Sequence, residues 1–133
     1  MLGKKIILFA IASIFSVCAA FSSYSDEVNT EVIVTNQKDD ILAFSSQSNH
    51  WVSISLKVNE KIISMKSQGN IGIVVTTKLI LWFSVITDEW SYNFLKNRER
   101  IIKITVKGNV AVIKTNKRVI GFSAHTGQWT VSQ

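Results

Sequence analysis

Beyond residue 25 the chain carries no run in which apolar residues recur at the helical spacing of three and four. Short apolar segments stand instead between small polar turns. They run over 61–67, 71–76, 79–84 and 89–95, and again over 100–106, 109–115, 118–123 and 128–132. Ile, Val, Thr, Phe and Trp fill them, residues that suit pleated, half-buried surfaces. The turns hold Gly69-Asn70 and Gly108-Asn109, then Thr77-Lys78 and Asn116-Lys117, then Thr87-Asp88 and Thr126-Gly127. Connections this short join antiparallel neighbours. Each set of four is therefore expected to form a four-stranded antiparallel meander, and the chain to be all-β.

The two sets are copies of one another. Residues 61–94 and 100–133 share ten identities in 34 positions without a gap. The identities include Gly69 with Gly108, Asn70 with Asn109, Thr76 with Thr115 and Lys78 with Lys117. A weaker copy covers 31–57. Phe44, Phe83 and Phe122 lie 39 residues apart, and so do Trp51, Trp90 and Trp129. The first copy keeps Val34-Thr35, Ile41, Phe44-Ser45 and Trp51, and aligning it calls for about two extra residues at Gln37–Asp40. A period near forty residues marks stacked supersecondary units. The units are placed at 31–60, 61–99 and 100–133.

A repeated four-stranded meander is the blade of a β-propeller. The stretch from Val119 to Trp129, with Thr126-Gly127 leading to Trp129, resembles blades of kelch and quinoprotein-type propellers. The resemblance implies about three propeller-type blades over residues 31–133, a partial propeller. The chain has no Trp-Asp dipeptide of the tryptophan-aspartate repeats. Propellers close with roughly four to eight blades. Three units leave apolar end faces and open edges, which invite pairing. Two chains could close a ring of six, a partner protein could cap the array, or the chain could be an incomplete copy of a longer array. Residues 22–30 are too polar for an innermost strand of the first unit and read as part of a polar linker, 21–30.

The N-terminus reads as an export signal, 1–20. Lys4-Lys5 precede the apolar stretch Ile6 to Ala20, and Cys18-Ala19-Ala20 offers small residues for cleavage between 20 and 25. At 15 residues the stretch is short for a membrane span. Retention as an anchor is the rival reading. Cleavage removes Cys18, the one cysteine, and with it any disulfide chemistry. A bacterial-type periplasmic or secreted protein is expected.

Charge is unevenly placed. The formal net charge of +6 falls to +4 without Lys4 and Lys5. Lys96, Arg98, Arg100, Lys103, Lys107, Lys114, Lys117 and Arg118 crowd the third unit against Glu99 alone. Asp26, Glu27, Glu31, Asp39 and Asp40 lie in or before the first unit. A solvated face accounts for such a distribution. So would head-to-tail contact between copies, or an anionic glycan or lipid; nucleic acid is not expected. Lys103, Lys107, Lys114, Lys117 and Arg118 are the candidate cationic contacts.

Phe44, Trp51, Phe83, Trp90, Phe122 and Trp129 recur in register, as packing between neighbouring units requires. A row of sugar-stacking platforms would recur in the same way. Trp82 does not recur, since Ala43 and Gly121 stand at its equivalents. That makes it the aromatic candidate for a ligand or partner contact. No catalytic constellation is legible. His50 and His125 occupy different places in their units, and no metal-ligand spacing, phosphate loop or nucleophile elbow occurs. Asp88-Glu89 reads as a turn cap. No enzyme activity and no cofactor are expected, and binding or assembly is the function class that remains.

Sequencing the N-terminus of protein from its native host should find a start between Phe21 and Asp26. Membrane-bound protein that begins at Met1 would establish an anchor instead.

Overall fold

The computed structural model describes residues 30–132, and every regular element among them is a strand. Sheet 1 contains β1 (Val32–Gln37), β2 (Asp40–Ser45) and β3 (Trp51–Ser55). Sheet 2 contains β4 (Ile62–Gln68), β5 (Ile71–Thr76), β6 (Leu79–Ser84) and β7 (Glu89–Phe94). Sheet 3 contains β8 (Ile101–Lys107), β9 (Val110–Thr115), β10 (Val119–Ser123) and β11 (Gln128–Val131). Each sheet is an antiparallel meander in chain order. The expected strand limits hold to within a residue or two. The signal segment, Cys18 and the linker up to residue 29 lie outside the described residues.

The 39-residue offset governs the hydrogen-bond register as well as the sequence. Phe44 pairs with Trp51, Phe83 with Trp90 and Phe122 with Trp129. A bulge between Ile62 and Ser64 returns between Ile101 and Lys103. Asn49, Asp88 and Gly127 share a left-handed backbone, with φ of 56°, 58° and 66°. This corrects one expectation. Gln37 pairs directly with Asp40 across a two-residue turn, so the first unit has no extra residues there. Gln37 stands where Thr76 and Thr115 stand, and Asn36 where Val75 does. The likeness of Val34-Thr35 to Val75-Thr76 is a coincidence of composition.

Thr76 and Thr115 recur because each hydroxyl closes a hairpin. Thr76 Oγ1 accepts the Lys78 and Leu79 amides and donates to Glu60. Thr115 Oγ1 accepts the Lys117 and Arg118 amides and donates to Glu99. Glu60 and Glu99 are both buried and lie 39 residues apart, one position before the aligned stretch.

Sheet 2 lies between the other two. Its strands β5 and β6 are buried at every position, on both faces. One face, with Ile71, Ile73, Val75, Ile80 and Trp82, packs on Val106, Ala111, Ile113, Ile120 and Phe122 of sheet 3. The other packs on sheet 1, where Phe83 meets Val32 and Ala43, and Leu79 and Leu81 meet Ile41. Strands β2 and β9 bury only alternate residues. Sheets 1 and 3 therefore each have one outer face that no other described residue covers.

The sheets are stitched at one end by backbone. Glu31 N–H donates to Gly69 O at 2.8 Å, and Asn70 N–H to Gly108 O at 3.1 Å. The recurring glycine is required there. Gly69 has φ +56°, and an added Cβ would lie 2.5 Å from Gly108 O.

Trp82 fills the space between sheets 2 and 3. Its ring stacks on Phe122 with centroids 4.9 Å apart, and Nε1 donates to Asn93 Oδ1. Trp82→Ala should cost about 3–5 kcal/mol by urea denaturation, the range for deleting a large buried aromatic. Trp82→Phe should cost less, because it keeps the stack and loses the indole donor. A loss below about 1 kcal/mol for the alanine variant would contradict the packing of sheet 3 on sheet 2.

Candidate functional site

The positions singled out by sequence divide among three places. Trp82 is fully buried, with 0% exposure, and no outside ligand reaches it. It fails to recur because the packing of one particular sheet pair fills the space at that position. Arg118 is likewise no surface cation. Its Nε lies 2.8 Å from Glu99 Oε2, with both side chains at or below 10% exposure. Its Nη2 also donates to Phe94 O of sheet 2. Lys117 sits in the exposed β9–β10 turn.

Lys103, Lys107 and Lys114 do come together. They share the outer face of sheet 3 with Val110, Val112, Val119 and Gly121. The alternation places them there, since Val106, Ala111 and Ile113 point to the core. Lys103 pairs directly with Lys114 across the β8–β9 ladder. Like charges opposed in this way repel. No carboxylate occupies this face among the described residues. At its centre is a hollow, because a Cβ on Gly121 would meet only Thr130 Oγ1, 3.9 Å away. Val110 is 55% exposed.

The outer face of sheet 1 has the opposite character. Phe44 and Trp51 stack in tilted fashion with centroids 5.0 Å apart. Leu42 and Ile33 flank them, and Asp40 ends the row. Trp51 is 54% exposed. Its two equivalents are tied down across interfaces: Trp90 Nε1 donates to Val52 O at 3.1 Å, and Trp129 Nε1 to Tyr92 O at 3.0 Å. In both cases the acceptor is on the last strand of the preceding sheet. Trp51 has no such acceptor among the described residues.

Elsewhere the polar groups serve the scaffold. His50 Nε2 lies 2.8 Å from Asp88 Oδ2, joining the turns of sheets 1 and 2. Asn70 Nδ2 donates to Asn109 Oδ1, and Asn109 Nδ2 lies 3.2 Å from His125 Nε2. These asparagines, with Glu31, Gln47, Gly69 and Gly108, line a polar concavity of about 360 Å³ where the sheets are stitched. Among the described residues no three His, Cys, Asp or Glu are grouped to hold a metal, and no helix is long and apolar enough to cross a membrane. Comparison with family models, curated proteins and solved structures finds no match.

One carboxyl is strongly perturbed. Burial pushes Glu99 upward, but the Arg118 hydrogen bonds, the Lys96 amide, the Thr115 hydroxyl and the Arg118 charge outweigh it. Together they hold Glu99 at about 2, against an ordinary value of 4.5. Its folded-state value is depressed, so its stabilisation is complete above pH 4.5 and is lost as pH falls toward 2. Glu99→Gln should be less stable than wild type at neutral pH and should show a shallower decline across that acid window. Parallel declines for the two proteins in acid denaturation would remove Glu99 from the linkage.

Proposed function

We propose that this chain is an exported, non-catalytic binding or assembly module of three propeller-type units, working through the two outer faces of its stack. One observation carries the reading. The central sheet is buried on both faces, while among the described residues each terminal sheet leaves one face uncovered, aromatic on sheet 1 and lysine-bearing with exposed valines on sheet 3. A sheet with aromatic and branched residues on both faces is stable when both are covered. The blade resemblance, the meander order and the short period support propeller-type units. Covering the outer faces completes the array, by ring closure between copies or by a capping partner. The second reading is an anionic glycan or lipid on the outer face of sheet 3. The opposed pair Lys103 and Lys114, with no carboxylate beside it, favours that reading for this face alone.

Trp51→Arg is the direct test. Trp51 belongs to no internal interface, so the variant should keep the wild-type far-UV spectrum and a stability within about 0.5 kcal/mol. The wild type should show a solution mass above that of the 14.9 kDa chain, and the variant should lose it. A wild type that stays monomeric at high concentration, with a variant of the same mass and stability, would remove closure between copies through the outer face of sheet 1 and leave the capping partner as the reading.

A further inference from the structure

We propose that the two outer faces are complementary to one another, so that the outer face of sheet 1 docks head to tail on the outer face of sheet 3 of a second copy. The inference rests on the reading of these faces as docking surfaces and names their occupant.

The internal interfaces supply the template. Sheet 2 presents Phe83, Trp90 and Leu81 to sheet 1, whose receiving face carries Val34, Ala43 and Val52 in one row and Ile41 and Ile54 in the next. The outer face of sheet 1 repeats the incoming half, with Phe44, Trp51 and Leu42 at the same register positions. The outer face of sheet 3 repeats the receiving half. Val112, Gly121 and Thr130 stand where Val34, Ala43 and Val52 stand. Val119 stands where Ile41 does. Ala43 is the small residue against which Phe83 packs, and Gly121 is the equivalent hollow for Phe44. Trp51 Nε1 would then find its carbonyl on β11 of the second copy, as Trp90 finds Val52 O and Trp129 finds Tyr92 O. The backbone stitch continues too, since the Asn109 N–H is the next donor after Glu31 and Asn70.

Charge sets the direction. In the internal interface Leu79 packs by Ile41. In the proposed interface Asp40 takes the place of Leu79, and Val119 that of Ile41. Val119 pairs with Lys114, which pairs with Lys103. Asp40 therefore arrives beside two unneutralised lysines. Two Lys faces would repel and two Asp faces would lack a counter-charge, so like faces do not meet. The contact is heterologous, and two copies docked reciprocally close a ring of six sheets, whereas failure to close gives an open fibre.

Charge exchange between full-length chains after native processing tests this. Asp40→Lys and Lys114→Glu variants should each stay folded and each associate about tenfold or more weakly than wild type by light scattering at low salt. Mixed in equal amounts they should recover wild-type mass, because every interface in the mixed dimer again joins unlike charges. Wild-type association should also weaken as salt is raised. If Trp51→Arg dissociates the assembly but Lys114→Glu does not, the faces dock like to like or on another partner, and the head-to-tail arrangement is wrong while the docking reading stands. Recovery that fails in the mixture overturns it equally. If the wild type never associates and anionic vesicles bind through Lys103 and Lys114, the face takes a lipid surface and the proposal fails.

Discussion

The structure depends on burial of both faces of a thin β layer. A four-stranded meander of six-residue strands encloses no core, because every side chain lies on one face or the other. Stability comes from laying a second sheet against each face. Strands β5 and β6 satisfy that condition throughout, and β2 and β9 satisfy it on one side. The recurring Phe and Trp follow from it. They are the incoming half of each interface, a large apolar pair set into a sheet whose central row is small or matched to it. The indole donor then bonds the last strand of the preceding sheet, so the N–H groups of half-buried Trp90 and more exposed Trp129 each have a backbone acceptor.

Much of this was legible in the sequence. Strand limits and turns could be read because antiparallel meanders are local, and short turns fix register. The repeat located the interface aromatics for the same reason. What could not be read was the side of the sheet a residue faces in three dimensions. Trp82 and Trp51 are both tryptophans on strands, yet one is sealed between sheets and the other stands in solvent. The difference depends on which units have neighbours, and that is not a local property. In the sequence Arg118 is one more cation in a basic run, since its partner Glu99 lies 19 residues away across two turns. The available signal is Glu60, which repeats Glu99 at the 39-residue offset and, like Glu99, accepts from the recurring hairpin hydroxyl. At Gln37–Asp40 the constant 39-residue period is a better guide to register than the chance match of Val34-Thr35 to Val75-Thr76.

Single repeat positions record where each unit sits. Asp40, Leu79 and Arg118 are equivalent. Leu79 packs within the interface between sheets 1 and 2. Arg118 faces sheet 2, where an arginine is tolerated because Glu99 and the Phe94 carbonyl satisfy its donors. Asp40 faces solvent. Ala43, Trp82 and Gly121 form a second such series: a small residue under Phe83, a large ring stacked on Phe122, and an empty place on the outer face. An array of identical units would stack without limit. Asp40 and Lys114 on the outer faces, where sheet 2 has Leu79 and Val75 at the same positions, give the two ends a chemistry of their own.

That arrangement also explains why the basic run does not act as one patch. Of the five cations singled out in the third unit, Arg118 is turned inward by the alternation of β10 and Lys117 is displaced into a turn. Lys103, Lys107 and Lys114 remain on one face. Lys103 and Lys114 repel each other across a ladder, a pairing that neighbouring β-sheets usually avoid. A solvated face would be equally soluble with these charges scattered. Placed together beside exposed Val110, Val112 and the Gly121 hollow, they give the proposed docking surface an apolar part and a cationic part. Any occupant must match both in the same register. The outer face of sheet 1, with Phe44 and Trp51 in one row and Asp40 four residues away along β2 on the same side, is the proposed occupant.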